Sequence, residues 1–191
     1  MGYFRPIEIE SGPLTVDAHH WIEKTKKENF MGDKSFRLRL NIEQHVNTAL
    51  LELLDKKNYF VKYGEIFYTA IDRESAIHSD GDPTEYTASN DMAKINHIAG
   101  GRESLMNWYQ PKTKKEYQRD SQANSKYTFY EHNEVDLVAS SHLQGWNIVQ
   151  VSPPHNIVNR ITRRVCTSLT IRQKSNPDCM PTYQQLVQDF T

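Results

Sequence analysis

Nowhere in the 191 residues is there an apolar run of about 18 residues, the length at which a membrane-spanning helix comes into question. The N-terminus also lacks the order of basic and apolar regions that marks a signal peptide. The sequence therefore predicts a soluble, cytoplasmic protein with no membrane partner. Cysteine is scarce: Cys166 and Cys179 are the only two. Two can pair, but they imply no disulfide framework, and a reduced setting is the simpler reading. An excess of charge is missing as well. Lys and Arg number 23 against 24 Asp and Glu, a formal net charge of −1, which leaves no electrostatic footprint for nucleic acid or an anionic membrane surface. Hydrophobic residues make up 37% of the chain and the mean hydropathy is −0.74, so a thin core with much solvated loop is expected. There is no internal repeat and no low-complexity segment. The length suits one domain over 1–191, with room for a core and a pocket.

What the chain does have is a succession of short β-rich stretches behind a helical start. Residues 1–13, with Pro6 and Gly12-Pro13, read as an irregular lead-in. Thr15 or Asp17 caps a short helix over 18–24. Within it His19 and His20 are adjacent and do not face one another, which makes them surface residues rather than a ligand pair. Arg37 to Leu40 alternates as a strand. From Asn41 the apolar residues Ile42, Val46, Ala49, Leu50, Leu53 and Leu54 fall at three-to-four spacing and predict one amphipathic helix ending near Lys56-Lys57, with His45 at the edge of the core. Two strands follow at 59–64 and 65–71, then a turn from Asp72 to Ser75. Residues 92–98 and 104–109 read as a hairpin around Gly100-Gly101. The charged, aperiodic stretch 111–126 is either a lid or a solvated excursion. Five short strands at 127–130, 135–139, 146–151, 155–159 and 165–171 have the spacing of a sandwich or barrel. Pro181-Thr182 opens a last helix, 183–190.

Two stretches carry the chemistry. In His78-Ser79-Asp80 an imidazole and a carboxylate point to the same side of an extended strand, because strand side chains alternate with period two. Both then reach one small cation. Much later, Pro153-Pro154-His155-Asn156-Ile157-Val158-Asn159 opens a strand with a histidine, and Arg164 begins the next strand nine residues on. Two histidines and one carboxylate on one face of an octahedral metal, with the other positions open, is the arrangement of non-haem Fe(II) oxygenases. The set resembles the Fe(II)/2-oxoglutarate-dependent oxygenase superfamily: His-x-Asp, a distal His 77 residues later (155 − 78), then an Arg opening a Ser-containing strand. The resemblance covers roughly residues 60 to 172 on the strand pattern.

The resemblance implies that His78, Asp80 and His155 hold Fe(II), with three cis positions left for 2-oxoglutarate and then O2. The cosubstrate chelates through its 1-carboxylate and 2-keto oxygen, and an Arg fork takes the far carboxylate. Arg164 fits by spacing and because Cys166, Ser168 and Thr170 share its strand face; Arg163 and Arg160 are its rivals. Ser168 adds a hydroxyl to the same carboxylate, although the family commonly has Arg-x-Ser, and here Cys166 stands at that place. His142, His97 and His132 lack the context of a distal ligand. Tyr68, Asn96 and Trp108 lie on strands near the ligands, as cosubstrate or substrate contacts or as core packing. The implied fold is mainly β with flanking helices: a double-stranded β-helix (jelly roll) over 58–172, helical N-terminal support in 1–57 and a C-terminal helix in 173–191. The implied activity is hydroxylation of an unactivated C–H with release of succinate and CO2. Its substrate is a small molecule or a peptide side chain, and nucleic acid is disfavoured by the charge balance. Two alternatives stand beside it: a jelly-roll metal-binding or structural module without oxygenase activity, zinc-occupied for instance, and a metal-dependent hydrolase that needs no Arg clamp.

Overall fold

In the computed structural model, which describes residues 2–29, 35–81, 91–115, 118–120, 125–178 and 180–191, strands dominate. In chain order they are β1 (Phe4–Pro6), β2 (Phe36–Arg39), β3 (Tyr59–Thr69), β4 (Arg73–Glu74), β5 (Ile77–Gly81), β6 (Ala93–Gly100), β7 (Leu105–Pro111), β8 (Gln118–Asp120), β9 (Ser125–Tyr130), β10 (Val135–Ser141), β11 (Gly145–Gln150), β12 (His155–Asn159) and β13 (Arg164–Gln173). Among the described residues four α-helices accompany them: α1 (Val16–Asn29), α2 (Ile42–His45), α3 (Thr48–Lys56) and α4 (Tyr183–Phe190). None of the helices among the described residues is long and apolar enough to cross a membrane.

The strands form two antiparallel sheets. One runs β1-β11-β6-β13-β3-β2 and the other β10-β7-β12-β5-β9-β8, with β4 paired to β12. Within them β3 pairs with β13, β5 with β12, β6 with β11 and β7 with β10. The outgoing and returning halves of the chain thus lie side by side as one long double strand, wound so that successive pairs alternate between the sheets. That is a jelly roll, the double-stranded β-helix expected from the sequence.

Period-two alternation decides what lies on each side of the first sheet. Ile95, Ile148, Leu169 and Ile171 point out of the roll and bury against Leu50 and Leu54 of α3, Ala18 and Ile22 of α1, and Leu186 of α4. Met106, Trp108, Val149, Val151, Cys166 and Ile98 fill the space between the sheets. β6 and β13 are therefore buried on both faces over most of their length. Polar residues on their inward face demand an explanation.

Several elements differ from the sequence reading. The lead-in contains β1, which extends the first sheet beside β11, whereas the strand expected from Arg37 to Leu40 is present as β2, beside β3. The first helix is longer, from Val16 to Asn29, and Thr15 Oγ1 caps it by accepting from the Ala18 N–H at 3.1 Å. The single helix expected over 42–57 is broken: Val46 is extended, and Asn47 caps a new helix by accepting from the Ala49 N–H at 2.9 Å. An Asn side chain that satisfies orphan N–H groups is worth more at a new N-terminus than inside a helix. The two strands expected over 59–71 are one, Tyr59–Thr69, running through Gly64, where a Cβ would meet Leu169 at 3.0 Å.

Gly100-Gly101 does not close a hairpin. β6 and β7 belong to different sheets, and the glycines turn the chain from one to the other at φ of +70° and +60°. A Cβ at Gly100 would lie 2.3 Å from the Arg163 carbonyl oxygen, and one at Gly101 would lie 2.7 Å from the Arg164 Cβ. These glycines make room for the start of β13. Within the stretch 111–126, β8 pairs with β9 as an added hairpin at the β5 edge, and the Lys115 ammonium is paired with Glu134; residues 116–117 and 121–124 lie outside the described residues, as does Cys179.

Candidate metal centre

β5 presents His78 and Asp80 on its inner face, and β12 lies beside it in a register that sets His155 opposite His78. The Asp80 N–H is fixed by the Val151 carbonyl at 2.9 Å. The two imidazole centroids are 4.6 Å apart. His78 Nε2 is 3.4 Å from Asp80 Oδ1, and one ligand atom from each of the three residues lies within 4.8 Å of the other two. The structure thus brings together side chains 77 residues apart in sequence (155 − 78) at a single point.

The rings are also aimed. His78 Nδ1 donates to the Ala76 carbonyl and His155 Nδ1 to the Pro153 carbonyl, both at 2.9 Å. A carbonyl oxygen only accepts, so each Nδ1 carries the hydrogen, and in the neutral ring Nε2 keeps the lone pair a cation requires. Burial drives the His155 pKa down to about 4, and the neighbouring His78 pushes the same way. Its imidazole is therefore neutral and available at neutral pH. For His78 burial is the largest single influence and opposes the proton, but the hydrogen bond to Asp80, the charge of that carboxylate and the Ala76 carbonyl together outweigh it and raise the pKa. Asp80 is 8% exposed; burial alone would raise its pKa, yet the Lys94 ammonium and the His78 hydrogen bond hold it below the usual carboxylate range. Lys94, for its part, is kept charged against desolvation by Asp80, its Nζ donating to Asp80 Oδ2 at 2.6 Å. Two neutral-capable imidazoles and one carboxylate, tautomers fixed, are a fitting donor set for a divalent first-row metal.

The three residues lie in a cavity of about 350 Å³. Arg164 enters it from the first residue of β13, between Thr69 and Gly100, and is 4% exposed. Its guanidinium charge favours the Cys166 thiolate, but burial outweighs it and pushes the thiol pKa up. Among the described residues no carboxylate forms an ion pair with Arg164. Ser168 and Asn96, partners across β13 and β6, line the same cavity, and Asn96 Oδ1 is buried without a hydrogen-bond partner.

Other residues singled out from sequence lie elsewhere. Tyr68 does not line the cavity; it stacks on Phe36 at 4.8 Å, while its neighbours Phe67 and Thr69 do line it. Trp108 is core, its indole N–H on the Gln150 carbonyl at 3.1 Å and its ring stacked on Tyr3 and Phe4. Arg160 is exposed and paired with Asp72 at 3.0 Å, and Arg163 is exposed. His97 packs on Trp146, His132 lies beside Glu74, His142 Nδ1 donates to the Ser104 carbonyl, His45 stacks on Trp21 and His20 is exposed; the His19 side chain is outside the described residues. Lys94 was not singled out. Its signal is Lys94-x-Asn96, two polar residues on one face of a strand whose other face carries Ala93 and Ile95.

No protein-family model matches the chain, and no curated protein matches it. Among solved structures it is similar to the vicilin from Solanum melongena, with 8% identity and a TM-score of 0.34 over 78% of this chain and 33% of that one. The chain thus spans about a third of the vicilin's length. The jelly-roll assignment stands on the strand order of this chain.

Proposed function

We propose that the protein is a non-haem Fe(II)- and 2-oxoglutarate-dependent dioxygenase that hydroxylates an unactivated C–H of a small molecule or peptide side chain and releases succinate and CO2. The observation that carries the reading is one cavity holding His78, Asp80 and His155 together with a buried guanidinium that no described carboxylate neutralises. A buried charge without a partner is costly, and a ligand carboxylate is the natural counter-ion for a planar fork. Bound Fe(II), with 2-oxoglutarate and O2, supplies the oxidising chemistry. The chain binds, orients and excludes. His78 Nε2, His155 Nε2 and Asp80 hold the metal from adjacent strands. Arg164 takes the distal carboxylate of the cosubstrate, with the Ser168 hydroxyl and Asn96 beside it. Phe67, Met106, Val151 and Ile157 line the remaining wall and keep water from the reacting centre. The volume suits a five-carbon diacid and part of a second molecule.

Anaerobic addition of Fe(II) and 2-oxoglutarate is expected to produce a weak visible charge-transfer band; its absence in reconstituted protein overturns the reading. One observation favours a second reading. Lys94 already neutralises Asp80, as it would in a metal-binding or structural jelly-roll module without turnover. Metal analysis together with succinate release in the absence of substrate separates the two.

A further inference from the structure

The Lys94–Asp80 contact has more in it than charge neutralisation. Lys94 is 9% exposed and sits on the inner face of β6, across the roll from β5. Its ammonium meets Asp80 Oδ2 at 2.6 Å, while Oδ1 of the same carboxylate is the oxygen turned toward His78 Nε2, at 3.4 Å. The two oxygens therefore have different occupations. Charge-assisted contacts this short are strong and directional, and no other described side chain holds Oδ2.

We infer that Lys94 is a positioning residue that occupies Asp80 Oδ2 and so limits Asp80 to a one-oxygen ligand. This rests on the reading of His78, Asp80 and His155 as a metal site. A carboxylate is free to bind a cation through one oxygen or two. With one oxygen from Asp80 and two imidazole nitrogens, three positions of an octahedral cation stay open. With both oxygens only two remain, and a cosubstrate that chelates through two atoms fills them. Lys94 thus preserves the position left over once such a cosubstrate is seated. It also sets a second positive charge close to the cation, which weakens bare-metal binding and favours a dianionic ligand in the cavity.

The test uses the full chain and Co(II) alone, whose visible bands report coordination number. In Lys94→Met the Oδ2 clamp and the positive charge are both lost. Co(II) is expected to bind about tenfold more tightly, with altered band intensity, and subsequent addition of 2-oxoglutarate to bind about tenfold more weakly. A Lys94 that merely supports the fold predicts the opposite sign: weaker Co(II) binding with an unchanged spectrum, and that result overturns the inference. A crystal structure of the Co(II)-loaded wild-type chain decides the matter even where Lys94→Met does not fold. Asp80 bound through one oxygen with Lys94 on the other is expected; two-oxygen binding, or Lys94 turned away, overturns it. Failure of the underlying site is distinguishable, since wild-type protein that takes up no Co(II), or a His155→Ala variant that takes it up equally well, removes the metal centre itself.

Discussion

At the scale of single residues the site is defined by what each side chain lacks. His155 lacks solvent exposure, at 6%, and its pKa of about 4 follows from burial first and from His78 second. An unfolded chain titrates its histidines near 6.5. As pH falls from about 6.5 to 4 the unfolded chain takes up a proton that the fold refuses at His155, so the folded state loses stability across that window, by at most about 3 kcal/mol. Asp80 acts in the same direction at lower pH, since its folded pKa is depressed; His78, with a raised pKa, acts in the opposite sense and is favoured below its unfolded value. His155→Gln is expected to flatten the fall in urea midpoint between pH 6.5 and 4. Metal binding should show the other face of the His78 shift. Its proton must leave before a cation binds, so Co(II) affinity is expected to rise with pH from 6 to 8 in a calorimetric titration. Arg164 lacks a carboxylate among the described residues, and Arg164→Ala is expected to raise the 2-oxoglutarate concentration needed for the charge-transfer band by about a hundredfold, or ~3 kcal/mol.

At the scale of elements, legibility followed locality. His-x-Asp could be read because period-two alternation is a property of one strand, and Arg164 could be preferred over Arg163 on the same parity. What failed was whatever depended on a distant partner. β1 has no pattern of its own and is a strand because β11 offers an edge to it. The break at Val46-Asn47 came from a capping choice hidden inside a good 3.6-residue periodicity. Gly100-Gly101 looked like a hairpin because turn chemistry says that the chain turns, not which sheet it joins next. Lys94 carries no local signature of its role, because its partner lies 14 residues earlier on another sheet. The Gly100-Gly101 crossing also lends itself to a test. Gly100→Ala has to relieve a 2.3 Å approach to the Arg163 carbonyl at positive φ, and a loss of about 2–4 kcal/mol in denaturant unfolding is expected. Because that carbonyl immediately precedes Arg164, weakened 2-oxoglutarate binding should accompany the loss.

At the scale of the molecule, the first sheet is sandwiched between helices outside and cavity inside, while among the described residues no helix packs closely across the second. β10, at its edge, leaves Leu137 59% exposed. The largest cluster of buried apolar residues lies on the helix-covered side, and the candidate metal centre bridges β5 and β12 of the other sheet. A cation that binds only the folded chain stabilises it by mass action, by about 2.7 kcal/mol at a hundredfold excess over its dissociation constant. The melting temperature is therefore expected to rise with added Co(II) in the wild type and to stay constant in Asp80→Ala.

The two imidazoles take their orientation from carbonyls two residues back, in the segments that lead into their strands: Ala76 for His78 and Pro153 for His155. Each ring is thus steered by its own backbone and owes nothing to the ion. Stripping the protein with a chelator should leave the pincer set, so that replenishment runs at the speed of diffusion and dehydration, without the lag of a chain that must rebuild its grip.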